Sequence, residues 1–187
     1  FTGVYSNHHP FWHTMIIQFC IRLGMGLSGD INAGVCIYSV LQILAMSCAF
    51  AYIIMTMYQM KLSYVVIIPC FIYFMIMPYH VFYSFTMWKD VLFAAAMAVF
   101  ITALFRIMAG IPFKTGLDGD NRVRSGKVNM VVLVISATGT CLLRSNGQIA
   151  FAVTFIVSIF VLGKRYWKVL LALLAVLLAT AVLKYPV

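Results

Sequence analysis

Residues 31–60 read INAGVCIYSVLQILAMSCAFAYIIMTMYQM, and this stretch decides the fold. A helix rises 1.5 Å per residue, so about 20 consecutive apolar residues cross the hydrocarbon of a bilayer. The run from Ile31 to about Met60 is long enough to do so, and Lys61 closes it. Asn32, Ser39 and Gln42 lie close to one face, the face expected to look into a bundle rather than towards lipid.

The rest of the composition agrees. The chain is 64% hydrophobic and 9% charged, whereas charged residues make up about a quarter of a soluble domain. With no Glu, and only Asp30, Asp90, Asp118 and Asp120 as acids, charge does not cover a water-facing surface. An integral membrane protein follows, with the lipid bilayer as its first partner. The net charge of +9 would point to nucleic acid in a soluble domain. Here the basic residues fall mainly between apolar runs, which makes them a topology signal and leaves no nucleic-acid partner. Cys20, Cys36, Cys48, Cys70 and Cys141 all lie in apolar segments without C-x-x-C or zinc-ligand spacing, so they read as small hydrophobes with no disulfide.

Towards the N-terminus, Ser6-Asn7-His8-His9-Pro10-Phe11-Trp12-His13-Thr14 packs three of the four histidines ahead of an amphipathic helix. Pro10 opens that helix, which is expected to run to about Leu23. Thr14, Gln18 and Arg22 form a polar stripe along it, as in a helix lying in the membrane interface. Gly24, Gly26 and Gly29 are expected to end it, with Asp30 or Asn32 capping the next helix.

Towards the C-terminus a second span runs from Leu62 to about Tyr79, kinked at Pro69 and ended by Pro78, with an aromatic belt of Tyr79, Phe82, Tyr83, Phe85 and Trp88. Asp90 caps a third span, Val91 to about Met108. Gly110 to Lys127 is a polar connector. Val128 to Leu143 and Gln148 to Gly163 are short apolar runs separated by Arg144-Ser145-Asn146-Gly147, which suits a tilted or partly penetrating hairpin. Val169 to about Leu183 is the last span. The expected fold is therefore all-α: one transmembrane domain over 1–187, with an external loop and interfacial helix over 1–30 and about six membrane helices over 31–187. The start at Phe1 and the end at Tyr185-Pro186-Val187, directly after an apolar helix, read as those of a piece of a longer protein.

If every apolar run crosses, one set of loops carries Lys61, Arg106, Lys114, Arg122, Arg124, Lys127, Lys164, Arg165 and Lys168, nine of the 13 basic residues. The other carries Arg22, Lys89, Arg144 and Lys184. The positive-inside rule makes the first set cytoplasmic. Three polar clusters, around His8, Lys89 and Arg144, then share the outer face.

Each cluster has a structural and a functional reading. His8 and His9 form either a polar turn or a donor or acid/base pair poised near neutral pH. His9 and His13 have metal-ligand spacing, but no Glu or Cys completes a set, so neither a metal nor another cofactor is expected. Trp88-Lys89-Asp90 is explained by a belt aromatic, a snorkelling lysine and a cap, yet Asp90 and Asp30 are the only acids on that face. Arg144, followed by Asn146-Gly147, either anchors a helix end or offers its planar fork to an anion.

The order His8-His9-Pro10, a helix with Asn32 and Gln42, Thr86-Met87-Trp88-Lys89-Asp90-Val91-Leu92-Phe93 and Leu142-Leu143-Arg144-Ser145-Asn146-Gly147 resembles a bacterial branch of the type C membrane glycosyltransferases. That superfamily includes protein O-mannosyltransferases and lipid A aminoarabinose transferases. The resemblance implies a multi-pass protein of the bacterial plasma membrane, a polyprenyl-phosphate sugar donor, and transfer with inversion to an acceptor on the non-cytoplasmic face. On that basis Asp90, His8 and His9 are the candidate catalytic residues. Arg144, Lys89, Asn146, Asn7 and Trp88 are the candidate substrate-binding residues. One departure stands out: such enzymes carry the catalytic acid in the first external loop, after a first transmembrane helix, where this chain has Asn7 and no preceding helix. A transporter or flippase for a lipid-linked or anionic substrate is the alternative, with a membrane scaffold third. A transporter would continue its polar residues to the cytoplasmic side, whereas the sequence concentrates them on the outer one.

Overall fold

The computed structural model describes residues 11–112, 122–144, 146–162 and 166–184. Among them the chain is all-α, with eight helices: α1 (Phe11–Ser28), α2 (Ile31–Gln59), α3 (Tyr64–Ile76), α4 (Pro78–Phe85), α5 (Lys89–Met108), α6 (Arg122–Leu143), α7 (Gly147–Leu162) and α8 (Trp167–Lys184). Three of them, over Ile31–Gln59, Asp90–Met108 and Gly126–Leu143, are long and apolar enough to cross a membrane, and Tyr64–Ile76, Gly147–Phe160 and Trp167–Leu183 are shorter apolar helices.

The apolar runs become helices as expected, but several ends differ. α1 continues through Gly24 and Gly26 to Ser28, and the left-handed turn comes at Gly29 (φ 70°). Gly24 is used for close approach instead. A Cβ there would run into the Gly34 backbone nitrogen, and one on Gly34 would stand 2.5 Å from Ile21 Cα. Two glycines thus let α1 cross α2 backbone to backbone. Asp30 caps α2 by accepting from Asn32 N–H at 3.0 Å. Pro78 does not close the second run but opens α4, after a single extended residue, Met77. With no N–H, proline costs nothing at a first helical position. α6 reaches back to Arg122, into the expected connector, and its part over Gly126–Leu143 is long and apolar enough to cross a membrane.

Hydrogen bonds between helices give their directions. Gln42, fully buried on α2, donates through Nε2 to the carbonyls of Tyr83 and Thr86 at 2.8 and 2.9 Å, which holds the chain just ahead of α5. Thr56 and Gln59, near the other end of α2, meet Arg106 near the end of α5. Helices α2 and α5 are therefore parallel, with α3 and α4 forming a broken return between them. Asn129 of α6 meets the same arginine, and Tyr166 at the start of α8 donates to the Met108 carbonyl at 3.1 Å, so α6 and α8 run opposite to α5. Between them lies the core: Phe100 and Ala103 of α5, Leu133, Ala137 and Cys141 of α6, Phe151 of α7, and Leu173 of α8. A smaller cluster of Cys20, Tyr38 and Leu92 joins α1, α2 and α5. None of the five cysteines forms a disulfide, and burial pushes the Cys20 thiol above its ordinary range, as befits an inert side chain.

Arg106 is the polar centre of this packing. It is 0% exposed. Its Nη1 donates to Thr56 Oγ1 at 2.9 Å, its Nη2 to Gln59 Oε1 at 2.6 Å and to the Pro112 carbonyl at 2.9 Å, and its Nε reaches Asn129 Oδ1 at 3.4 Å. The Tyr52 ring lies 5.3 Å from the guanidinium carbon. Asn129 in turn donates to the Ile111 carbonyl at 2.8 Å. A buried charge is tolerated only when its donors are used in this way.

Arg106→Leu strips donors from acceptors on two other helices and a loop, and is expected to destabilise the protein by about 2–4 kcal/mol, with Arg106→Lys intermediate. Reversible unfolding in mixed detergent micelles measures both.

Candidate functional site

The site is built where α5 begins and α6 turns into α7. Trp88 is the residue before α5; its backbone is extended and its side chain makes no cap bond. Asp90, expected as the cap, sits instead inside the first turn, where a carboxylate complements the helix dipole. Its Oδ1 lies 3.4 Å from Arg144 Nε. Two sequence clusters expected on one face but without known proximity thus meet as an ion pair. That oxygen is shielded from solvent and takes no hydrogen bond among the described residues, so charge attraction rather than a directed bond holds it.

A third residue completes the arrangement. The Arg144 guanidinium carbon stands 5.3 Å from the centroid of Phe93, one turn along α5 from Asp90. Gly147, at the start of α7, makes the turn possible: a Cβ there would run into the Thr140 carbonyl oxygen and meet the Phe93 ring at 3.3 Å. Its N–H donates to the Arg144 carbonyl at 3.1 Å, and Ala150 N–H to the Asn146 carbonyl at 3.2 Å. The guanidinium is held at Nε by a carboxylate and across its face by a ring, which leaves Nη1 and Nη2 without a protein partner among the described residues. A fork of that kind suits a phosphate or carboxylate.

The other candidates fall as follows. Lys89 begins α5. Trp88 is exposed, its ring 5.7 Å from that of Tyr83. Asn146 is exposed in the turn. Asn7, His8 and His9 lie outside the described residues. His13 is buried and shares a 2.9 Å hydrogen bond with the Tyr38 hydroxyl, their rings edge to face. Among the described residues no group of three or more His, Cys, Asp or Glu side chains could hold a metal ion.

A family model described as a family of unknown function, DUF6020, matches residues 2–186. The chain belongs to the DUF6020 family. No curated protein and no solved structure matches it. The match spans all eight helices of this DUF6020 chain, so both the Asp90–Arg144 pair and the Arg106 centre lie within the family's domain.

Sequence reasoning missed Phe93, which looked like one more apolar residue of a span. It also missed the Arg106 centre by counting Arg106 as a loop charge. The available signal was an arginine preceding Met108 within the third apolar run, with Gln59 and Asn129 in or beside two others, since an ionisable residue inside an apolar helix needs partners. Without Arg106 the basic residues still divide eight to four between the two sets of loops.

The Arg144 and Asp90 side chains are 43% and 45% exposed, so solvent screening keeps their mutual stabilisation at or below about 1 kcal/mol. A double-mutant cycle of Asp90→Asn and Arg144→Gln is expected to return a coupling energy no larger than that, with both single variants folded, as read by unfolding in detergent.

Proposed function

We propose that this DUF6020 chain is a membrane glycosyltransferase that takes a sugar from a polyprenyl-phosphate donor to an acceptor hydroxyl at one face of the bilayer. The observation that carries the reading is the Asp90–Arg144 pair: an acid and a phosphate-type arginine fork, 54 positions apart in sequence, meeting half-exposed at one end of the bundle. In the reaction the bond between sugar C1 and the phosphate oxygen breaks and the acceptor oxygen bonds to C1. The acceptor proton passes to a carboxylate, and polyprenyl phosphate leaves with the charge. Arg144 neutralises that developing charge, with Lys89 beside Asp90 in sequence as a second cation. Asp90 is the candidate base, while His8 and His9 position donor or acceptor. The excess of basic residues in the loops at the other end supports a non-cytoplasmic face for the site. The same reading takes α2 to α8 as about six crossings of a bacterial plasma membrane, with α3 and α4 counted as one.

A transporter or flippase for a lipid-linked substrate is the second reading, and two observations favour it. Polar side chains are not confined to one end, because Arg106, Thr56, Gln59 and Asn129 form a buried set at the other. The α3–α4 rod is also interrupted at Met77, and discontinuous helices are a hallmark of transporter sites.

The test is turnover of a radiolabelled polyprenyl-phosphate sugar by the purified protein in liposomes. Release of polyprenyl phosphate is expected from wild type, with kcat falling about 10²–10³-fold in Arg144→Ala and about 10²–10⁴-fold in Asp90→Asn. Lys89→Ala and His9→Ala are expected to lose activity as well. Movement of the lipid across the bilayer without release of polyprenyl phosphate would replace the transferase with the flippase.

A further inference from the structure

The turn between α2 and α3 carries a feature that neither the fold nor the proposed reaction uses. Among the described residues Lys61 is the sole non-glycine residue with positive φ, at 58°. Its setting is the usual helix-ending arrangement of two crossed backbone bonds: Lys61 N–H to the Tyr58 carbonyl at 2.9 Å and Leu62 N–H to the Met57 carbonyl at 3.3 Å. Glycine is the residue that fits the left-handed position of this motif without strain. A lysine here disfavours the fold. Attraction to the carbonyl end of α2 does not account for the placement, because a lysine at position 60 or 62 would supply it with ordinary backbone angles.

The surroundings point outward. The Lys61 side chain is exposed and makes no hydrogen bond or ion pair among the described residues. It lines a cavity of about 560 Å³ together with Tyr58, Gln59, Leu62, Tyr64 and Pro112. Tyr58 and Tyr64 flank it with exposed rings, as tyrosines do at the headgroup level of a membrane. From the mouth of the cavity Val65, Ile68 and Ile72 continue along one exposed face of α3, a track for an acyl chain. Both described carboxylates, Asp30 and Asp90, are at the opposite end of the bundle, so nothing among the described residues competes with an anion for the lysine.

We propose that the α2–α3 turn binds the phosphate-bearing headgroup of an anionic glycerophospholipid. Lys61 is the cation, Tyr58 and Tyr64 are the walls, and the α3 face takes the acyl chain. Strain held at a binding position is the reason that lysine stands where glycine would fold better. The free phosphate anion shares the headgroup's chemistry but would not use the apolar track.

Thermal unfolding of the purified protein in nanodiscs tests this, using phosphatidylcholine alone, the same lipid mixed with phosphatidylglycerol, and phosphatidylcholine with inorganic phosphate in the buffer. In phosphatidylcholine, Lys61→Gly is expected to melt about 2–4 °C above wild type because the strain is relieved. Phosphatidylglycerol is expected to raise the Tm of wild type and of Lys61→Arg and to leave that of Lys61→Gly in place, while inorganic phosphate shifts none of them. An equal phosphatidylglycerol shift in Lys61→Gly and wild type overturns the site. A full shift from inorganic phosphate alone overturns the lipid as its ligand. A Tm for Lys61→Gly below wild type in phosphatidylcholine overturns the strain argument on which the proposal stands.

Discussion

A guanidinium cannot be left unpaired inside a bundle of apolar helices, and that constraint organises the molecule. Packing of Leu, Val, Phe and Ala against one another, or against lipid, has little directional preference, so apolar helices slide and rotate at small cost. Arg106 removes that freedom. Its donors must find Thr56 and Gln59 on α2, Asn129 on α6 and the Pro112 carbonyl. Three helices are thereby set in register at one end, and the register carries to the other. From Arg106 back to Asp90 is about 24 Å along α5, and from Asn129 forward to Arg144 about 22 Å along α6, at 1.5 Å per residue. Two antiparallel rods clamped at one end and nearly equal in reach bring their far residues side by side. The Asp90–Arg144 ion pair is a consequence of the Arg106 clamp as much as of its own attraction.

That dependence explains what could be read from the sequence. Crossing lengths are written in composition, so the apolar runs around Ile31, Val91 and Val169 were legible as helices. Helix faces were legible only where a polar residue marked one, as Gln42 does on α2. An element that is hydrophobic all round lacks the periodic contrast that tells which side meets a neighbour, and Phe93 therefore could not be distinguished from Phe100, although one lies against Arg144 and the other in the core. Pro78 shows the same limit at a boundary. Proline ends one helix and begins another with equal ease; here it begins α4, whose far end is tied to Gln42 of α2 through the Tyr83 and Thr86 carbonyls. Gly24, read as a terminator, lies inside α1, where it meets α2 at Gly34.

Asp90 and Arg144 could be named from the sequence as candidates, but their geometry, and the place of Phe93 beside them, could not be read there. Charge counting put Asp90 and Arg144 on one face; only helix packing could make them neighbours. The histidine-rich stretch ahead of Pro10 precedes α1, whose His13 is tied to Tyr38 and whose Ile16 and Ile17 pack against the cluster of Cys20, Tyr38 and Leu92, as do Met87 and Leu143. Those last two residues flank the Asp90 and Arg144 segments, so α1 lies against the elements that bear the ion pair. The polar groups at the two ends differ in kind. Arg106 has its donors turned inward to protein acceptors, whereas two nitrogens of Arg144 have no protein partner among the described residues.

The broken return between α2 and α5 bears on sidedness. From Gln59 back to the level of Gln42 the chain must climb about 25 Å along α2. Helix α3, with 13 residues, supplies about 20 Å of that, and the eight residues of α4 make up the remainder with a little to spare. The proline that divides the rod also permits its completion, since an unbroken helix could not change direction at Met77 to reach Gln42. Every later segment takes its up or down sense from the parity of the passes before it. The direction of α5, and with it the end of the bundle at which Asp90 and Arg144 meet, rests on one eight-residue helix.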